Sequence, residues 1–374
     1  MDARLKSMAD VLVNYSIGVK PSDWVVIQSP VLGEPLVDAC VRSVLEAGGH
    51  ASPLLTSEVI SETQYLYSND EQLRFISPMT RLMYDQADAR ISILAPRNTR
   101  AMSSVDPAKM AVVSQASEPL MESMMRRTKE GSYSWTIAAY PTPAAAQDAY
   151  MSLRNYEEFL FSASLIDTPD PVAAWRELGA RQQRLVEWIT PRRDIHITGP
   201  GTDLRLSVEG RTWINDEGKK NFPGGEIFTA PVEDSVEGEI QFTYPAFYAG
   251  REVPGVRLVF ERGVVREANS AGDQDFLDQM LSMDDGARRL GEFAFGTNSG
   301  IQTFTKNTLF DEKIGGTLHM ALGKAYPECG GTNKSALHWD MVYDLRNDAE
   351  VTVDGELFSK NGEFQVLQKE LVAG

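Results

Sequence analysis

Short apolar runs separated by segments of helical period mark the first half of the chain. Trp24-Val25-Val26-Ile27 is continuous enough for a strand buried on both faces. Leu36, Val37, Cys40, Val41, Val44 and Leu45 then recur at helical spacing until Gly48-Gly49 ends the helix. Ser52 to Leu55, Ile91-Ser92-Ile93-Leu94-Ala95 and Trp135-Thr136-Ile137-Ala138-Ala139 read as three further strands. Strand, helix, strand in that order predicts parallel pairing with right-handed crossovers, hence an α/β layer domain.

The pattern changes after a helical stretch from Pro171 to Ile189, whose apolar stripe is Val172, Trp175, Leu178, Leu185, Val186 and Ile189. Beyond Thr190-Pro191 the period becomes two. Asp194-Ile195-His196-Ile197, Asp203 to Val208, Val256 to Phe260 and Val351-Thr352-Val353 alternate between glycine-rich turns, with one short helix around Phe276, Leu277, Met280 and Leu281. The expectation is an α/β protein of two domains. Residues 1–190 form an α/β scaffold with a mostly parallel sheet, and residues 191–374 form a mostly-β α+β domain.

Composition narrows the function. The 374 residues carry 36 Lys and Arg against 53 Asp and Glu, a formal charge of −17, which argues against nucleic acid or anionic membrane as a partner. A cationic substrate or metal cations suit such a chain better. Cys40 and Cys329 make neither a disulfide framework nor a Cys-x-x-Cys motif. The charged start, Met1 to Lys6, lacks the apolar run of a secretory signal, and no stretch has the length of a membrane span, so a cytoplasmic protein is expected. The loop Gln28 to Gly33 has neither a G-x-G-x-x-G nor a P-loop pattern, so nucleotide binding has no motif behind it.

Histidine is scarce: only His50, His196, His319 and His338 are present, so carboxylates must carry most of any metal chemistry. In the strand pattern Leu337 to Val342, His338 and Asp340 project from one face while Trp339 and Met341 take the other. In Thr317 to Gly323, Leu318, Met320 and Leu322 alternate with His319, Ala321 and Gly323, which leaves His319 over a face of small residues with room for ions and substrate. Gly315-Gly316 can turn Glu312 back toward His319, and Asp311 is the alternative acid there. Glu226 and Glu292 lie in apolar, glycine-bounded segments where a charge is costly unless paired or metal-bound; Arg288 or Arg289 would be the ordinary partners of Glu292. Residues 221–250 contain Glu226, Glu233, Asp234, Glu237 and Glu239 and no Lys or Arg, so the stretch could receive a substrate's amino group. Cys329, beside Gly330-Gly331, reads as a small buried residue, not a nucleophile.

Four motifs in order, Asn221 to Pro231, Gly291-Glu292-Phe293, Asp311-Glu312 through His319 to Gly323, and His338-Trp339-Asp340, resemble those of the thermophilic metalloaminopeptidase family, of the aminopeptidase T, aminopeptidase S and PepS type. The resemblance is strong over the second half and general over the first. It implies a homodimeric exopeptidase acting on peptides, with two divalent ions per chain (Zn, Co, Mg or Mn) held by Glu226, Glu292, Glu312, His319, His338 and Asp340. It also implies Tyr326 as the catalytic phenol. Two-metal chemistry adds Glu292, with its small or apolar neighbours, as the expected bridging carboxylate, while Glu226 or Glu292 could instead serve as general base. The alternative on a similar fold is a mononuclear Fe(II) ring-cleaving dioxygenase of the dihydroxypyridine type, using His319, His338 and Asp340 as a facial triad. A non-catalytic scaffold would instead pair the six polar residues with arginines.

Overall fold

The computed structural model describes residues 2–368. By internal contacts the chain divides into two compact units, Met1–Val172 with Gly218–Pro223, and Ala173–Glu217 with Gly224–Gly374. The first break falls earlier than the Thr190-Pro191 boundary read from the sequence. Helix Pro171–Ile189 supplies the reason: its Leu185, Val186 and Ile189 join the core of the second unit. The return of Gly218–Pro223 to the first unit has no sequence signature, because it amounts to a two-residue strand, Asn221–Phe222, paired beside Ser134–Ala139.

The first unit is built on a five-stranded sheet in the order His50–Thr56, Trp24–Pro30, Ala89–Leu94, Ser134–Ala139 and Asn221–Phe222. Every pairing is parallel, as the strand–helix alternation predicts. Helix Glu34–Glu46 packs its Leu36, Val37, Cys40 and Val44 inward after the first strand. The 23-residue helix Pro107–Lys129 was not legible in the sequence, because it buries little beyond Leu120 and Met124 and shows no apolar stripe. Among the described residues, no helix is long and apolar enough to cross a membrane.

The second unit contains an eight-stranded and a five-stranded antiparallel sheet. One hydrophobic cluster takes Ile195, Ile197, Leu204, Leu206, Leu258, Val351 and Phe358 from the larger sheet and Phe293, Phe295, Leu318, Met320, Trp339 and Met341 from the smaller. Phe295 packs against Phe358 with ring centres 5.1 Å apart and the planes tilted by 55°, joining the two faces. Since side chains alternate along a strand, burying these apolar residues on one face of the smaller sheet forces their neighbours onto the other.

Candidate metal centre

The smaller sheet runs in the order His338–Asp344, Thr317–Gly323, Leu290–Gly296, Glu226–Thr229 and Ile214–Asp216. Its register sets Gly296 opposite Glu226, Ala294 opposite His319, and Gly323 opposite His338. Ala321 lies between Glu292 on one side and Asp340 on the other. The methyl group of Ala321 therefore leaves the two carboxylates free to converge over it. Gly291 permits the close packing behind Glu292, since a Cβ there would run into the carbonyl oxygens of Gly323 and Lys324. Gly291→Ala is expected to cost about 1–3 kcal/mol as an overpacked site. Scanning calorimetry measures it, and an unchanged Tm would contradict the close approach.

Five of the six residues named from the sequence form two sets. Glu226, Glu312 and His319 offer ligand atoms within 4.8 Å of one another, and so do Glu292, His319 and Asp340. The sixth joins the second set: His338 Nε2 lies 3.3 Å from Glu292 Oε2 and 3.6 Å from Asp340 Oδ1. Glu292 stands at the centre, with Oε1 3.6 Å from His319 Nε2 and Oε2 toward His338. Neither Arg288 nor Arg289 takes it, because their guanidinium groups donate to the Val265 and Glu233 carbonyls. Asp311 is not its neighbour's substitute. Its carboxylate accepts from Thr305 N at 2.6 Å and Thr305 Oγ1 at 2.9 Å, closing its own loop, while burial pushes it up to about 7.

Of the acidic stretch, only Glu226 enters the cluster. Glu233 accepts from Thr332 N and Oγ1 and pairs with Arg211, Glu239 pairs with Arg257, and Glu237 accepts from Arg262 N. These are ties within the fold, and Glu233 anchors the loop that leads away from Tyr326. The Tyr326 ring sits 5.4 Å from His338 and 5.4 Å from Phe228. Cys329 is buried beside Ala230 and Ala325, as a structural residue would be.

Three residues escaped the sequence reading. Lys313 is wholly buried, with Nζ 3.2 Å from Glu226 Oε1 and 4.0 Å from Asp216 Oδ2 and hydrogen-bonded to Glu312 Oε1. Asp216 is brought in by its register with Glu226. Gln182, on the buried face of helix Pro171–Ile189, donates to the backbone carbonyls of Asp216 and Glu226 at 3.1 and 2.7 Å. A signal existed for Lys313, the one cation beside the Asp311-Glu312 pair, in a charged triplet set between Leu309-Phe310 and Ile314.

Five carboxylates thus surround one ammonium and two imidazoles. Burial alone would lower the imidazole pKa values, but the carboxylates outweigh it, led by Glu292, and hold His319 at about 9 and His338 at about 10. Burial alone would raise Glu292, yet the two imidazoles bring it down to about 2. Burial pushes Glu226 well above the usual carboxylate range and Asp340 up to about 6. Such a cluster demands positive charge, which a divalent cation supplies by displacing protons.

The donor set fits that cation. Among the described residues, nothing makes a well-aligned hydrogen bond to buried Glu226 Oε2, His319 Nδ1 and Nε2, or Asp340 Oδ1, although Glu226 Oε2 and His319 Nε2 face each other at 3.3 Å; such a condition is rare in a folded protein. Carboxylate oxygen and imidazole nitrogen are the donors that first-row divalent ions take. His338 Nδ1 lies 3.0 Å from the Lys324 carbonyl, which can only accept. That contact keeps a proton on Nδ1 and turns Nε2 toward Glu292 and Asp340, where its own proton is the one a cation would displace.

A family model described as thermophilic metalloprotease (M29) matches residues 1–365. Aminopeptidase 2 of Geobacillus stearothermophilus is 28% identical, the match covering 95% of this chain and 94% of the relative. Aminopeptidase T of Thermus thermophilus is 29% identical over 95% of this chain and 96% of its own. The solved structure of wild-type AmpT from Thermus thermophilus shares the fold, with a TM-score of 0.82 at 24% identity, covering 97% of this chain and 99% of that one. None of these relatives supports the ring-cleaving dioxygenase alternative, whose triad would also leave Glu226, Glu292 and Glu312 without a task. The chain belongs to the thermophilic metalloprotease (M29) family and is a peptide hydrolase.

Proposed function

We propose that the protein is an aminopeptidase that removes N-terminal, preferably apolar, residues from peptides and uses two divalent ions to do so. The observation that carries the reading is the convergence of Glu226, Glu292, His319, His338 and Asp340, from four strands of one sheet, with Glu312, which caps helix Thr308–Asp311, in two ligand sets that meet at His319. Two bound ions of this kind supply an activated water and stabilise the oxygens that gain charge during attack.

The protein's own groups divide the remaining work. Glu292, with one oxygen toward each imidazole, holds the centre of the cluster together. Glu226 is held through Oε1 by Lys313, which leaves Oε2 to accept the proton of the attacking water and pass it to the leaving amine. Burial and the carboxylates of Glu292 and Asp340 push the Tyr326 phenol above its ordinary range, so it stays protonated and donates to the developing oxyanion. The half-buried pair Phe228 and Tyr326 forms an apolar wall for the first residue of the substrate. The cationic α-amino group is matched by the surplus of carboxylates over ammonium in the cluster. The reading includes a cytoplasmic homodimer that takes peptides, without nucleic-acid or membrane partners.

Dialysis against a chelator is expected to abolish hydrolysis of leucine arylamide, and Co²⁺, Zn²⁺, Mg²⁺ or Mn²⁺ to restore it with saturation near two equivalents per chain. A metal-loaded protein that leaves every aminoacyl arylamide intact would sink the reading.

A further inference from the structure

We propose that Lys313 is a built-in counter-cation, a positioning residue that keeps the carboxylate cluster ordered before metal binds and moderates the affinity with which metal is then taken. The inference rests on the metal-dependent reading above and concerns a residue outside the ligand set.

Lysine is among the residues least often found fully buried, and an unpaired buried ammonium is strongly destabilising. Lys313 has no exposed surface, and its Nζ meets three carboxylates from three separate parts of the chain: Glu226, Glu312 and Asp216. Its backbone is fixed on both sides. The Lys313 N–H donates to the Phe310 carbonyl at 3.0 Å, and its carbonyl accepts from Asn298 N at 3.1 Å. The ammonium is therefore delivered to one place.

Its contacts are selective. Lys313 takes Oε1 of Glu226, and the other oxygen faces His319 Nε2 at 3.3 Å. It likewise takes Oε1 of Glu312, a member of the same ligand set. Three carboxylates around one amine with no exposed surface make it the counter-charge of the cluster. A fixed positive charge this close to the cluster has two consequences. It relieves repulsion among the carboxylates when no other cation is present, and it repels a divalent ion held by the same carboxylates. Through the binding cycle these are one effect: whatever Lys313 adds to the metal-free form beyond the loaded form is subtracted from metal affinity.

The test compares wild type, Lys313→Met and Lys313→Arg, each metal-free and saturated with Zn²⁺. Thermal unfolding is read for both forms, and the Zn²⁺ affinity is read by competition with a chromophoric chelator at fixed pH. Lys313→Met is expected to lower the metal-free Tm by several degrees more than the loaded Tm and to tighten Zn²⁺ binding by about tenfold or more. Lys313→Arg, which keeps the charge, is expected to preserve the wild-type gap between the two forms. Equal loss of Tm in both forms, or weaker Zn²⁺ binding by Lys313→Met, overturns the proposal. If Lys313→Met does not fold without metal, refolding with Zn²⁺ decides: recovery supports the proposal, and failure in both conditions overturns it. Wild-type protein that binds no Zn²⁺ would instead defeat the metal-dependent reading itself, which keeps the two failures apart.

Discussion

Glu292→Gln is expected to keep the fold and to lose at least about a thousandfold in kcat/KM, or ~4 kcal/mol of transition-state stabilisation. The substitution preserves size and shape at a residue with 4% exposure, so it opens no cavity. What it removes is the charge that faces both imidazoles, at 3.6 Å from His319 and 3.3 Å from His338. An amide is a poor substitute for a carboxylate ligand, and it cannot hold two imidazole groups in the same poise. Metal content should therefore fall along with activity, measured by metal analysis after gel filtration. Full metal occupancy with full activity would show that the central carboxylate is dispensable.

Tyr326→Phe is expected to behave differently. It should retain wild-type metal content and KM while kcat falls by about 10²–10³, the usual cost of one lost oxyanion donor. The ring still packs against Phe228 and the His338 edge, both at 5.4 Å, so only the hydroxyl is removed. A loss confined to kcat would separate a group that acts in the transition state from one that binds substrate in the ground state. A rise in KM with kcat unchanged would instead assign Tyr326 to substrate binding. The contrast with Glu292→Gln is the informative part: one variant loses metal and activity together, the other activity alone.

The strands that carry the site were legible because their large apolar side chains alternate with polar or small ones. In Thr317–Gly323 and His338–Asp344 the apolar members enter the core, which leaves His319, His338 and Asp340 on the opposite face. The small-residue face around His319 was legible in the same way, and its use became visible with the register that puts Ala321 between Glu292 and Asp340. The choice between Asp311 and Glu312 was not legible. Adjacent acids in a turn are told apart only by where each points, and Thr305 claims Asp311. The acidic stretch after Glu226 misled for a related reason, since Arg211 and Arg257 lie near their partners in space but 22 and 18 residues away in the chain.

By itself, the sequence determined the periods, and with them the parallel α/β first half, the antiparallel second half and the face on which each polar residue stands. Those follow from backbone geometry and burial, which act locally. Only the tertiary structure decided which faces meet. Strand order and register bring Asp216 beside Glu226, helix Pro171–Ile189 brings Gln182 beneath both, and the turn before Ile314 inserts Lys313 among the carboxylates. Coulomb interactions fall off with distance in space and not along the chain, so the charge balance of this site became readable only once the strands were paired.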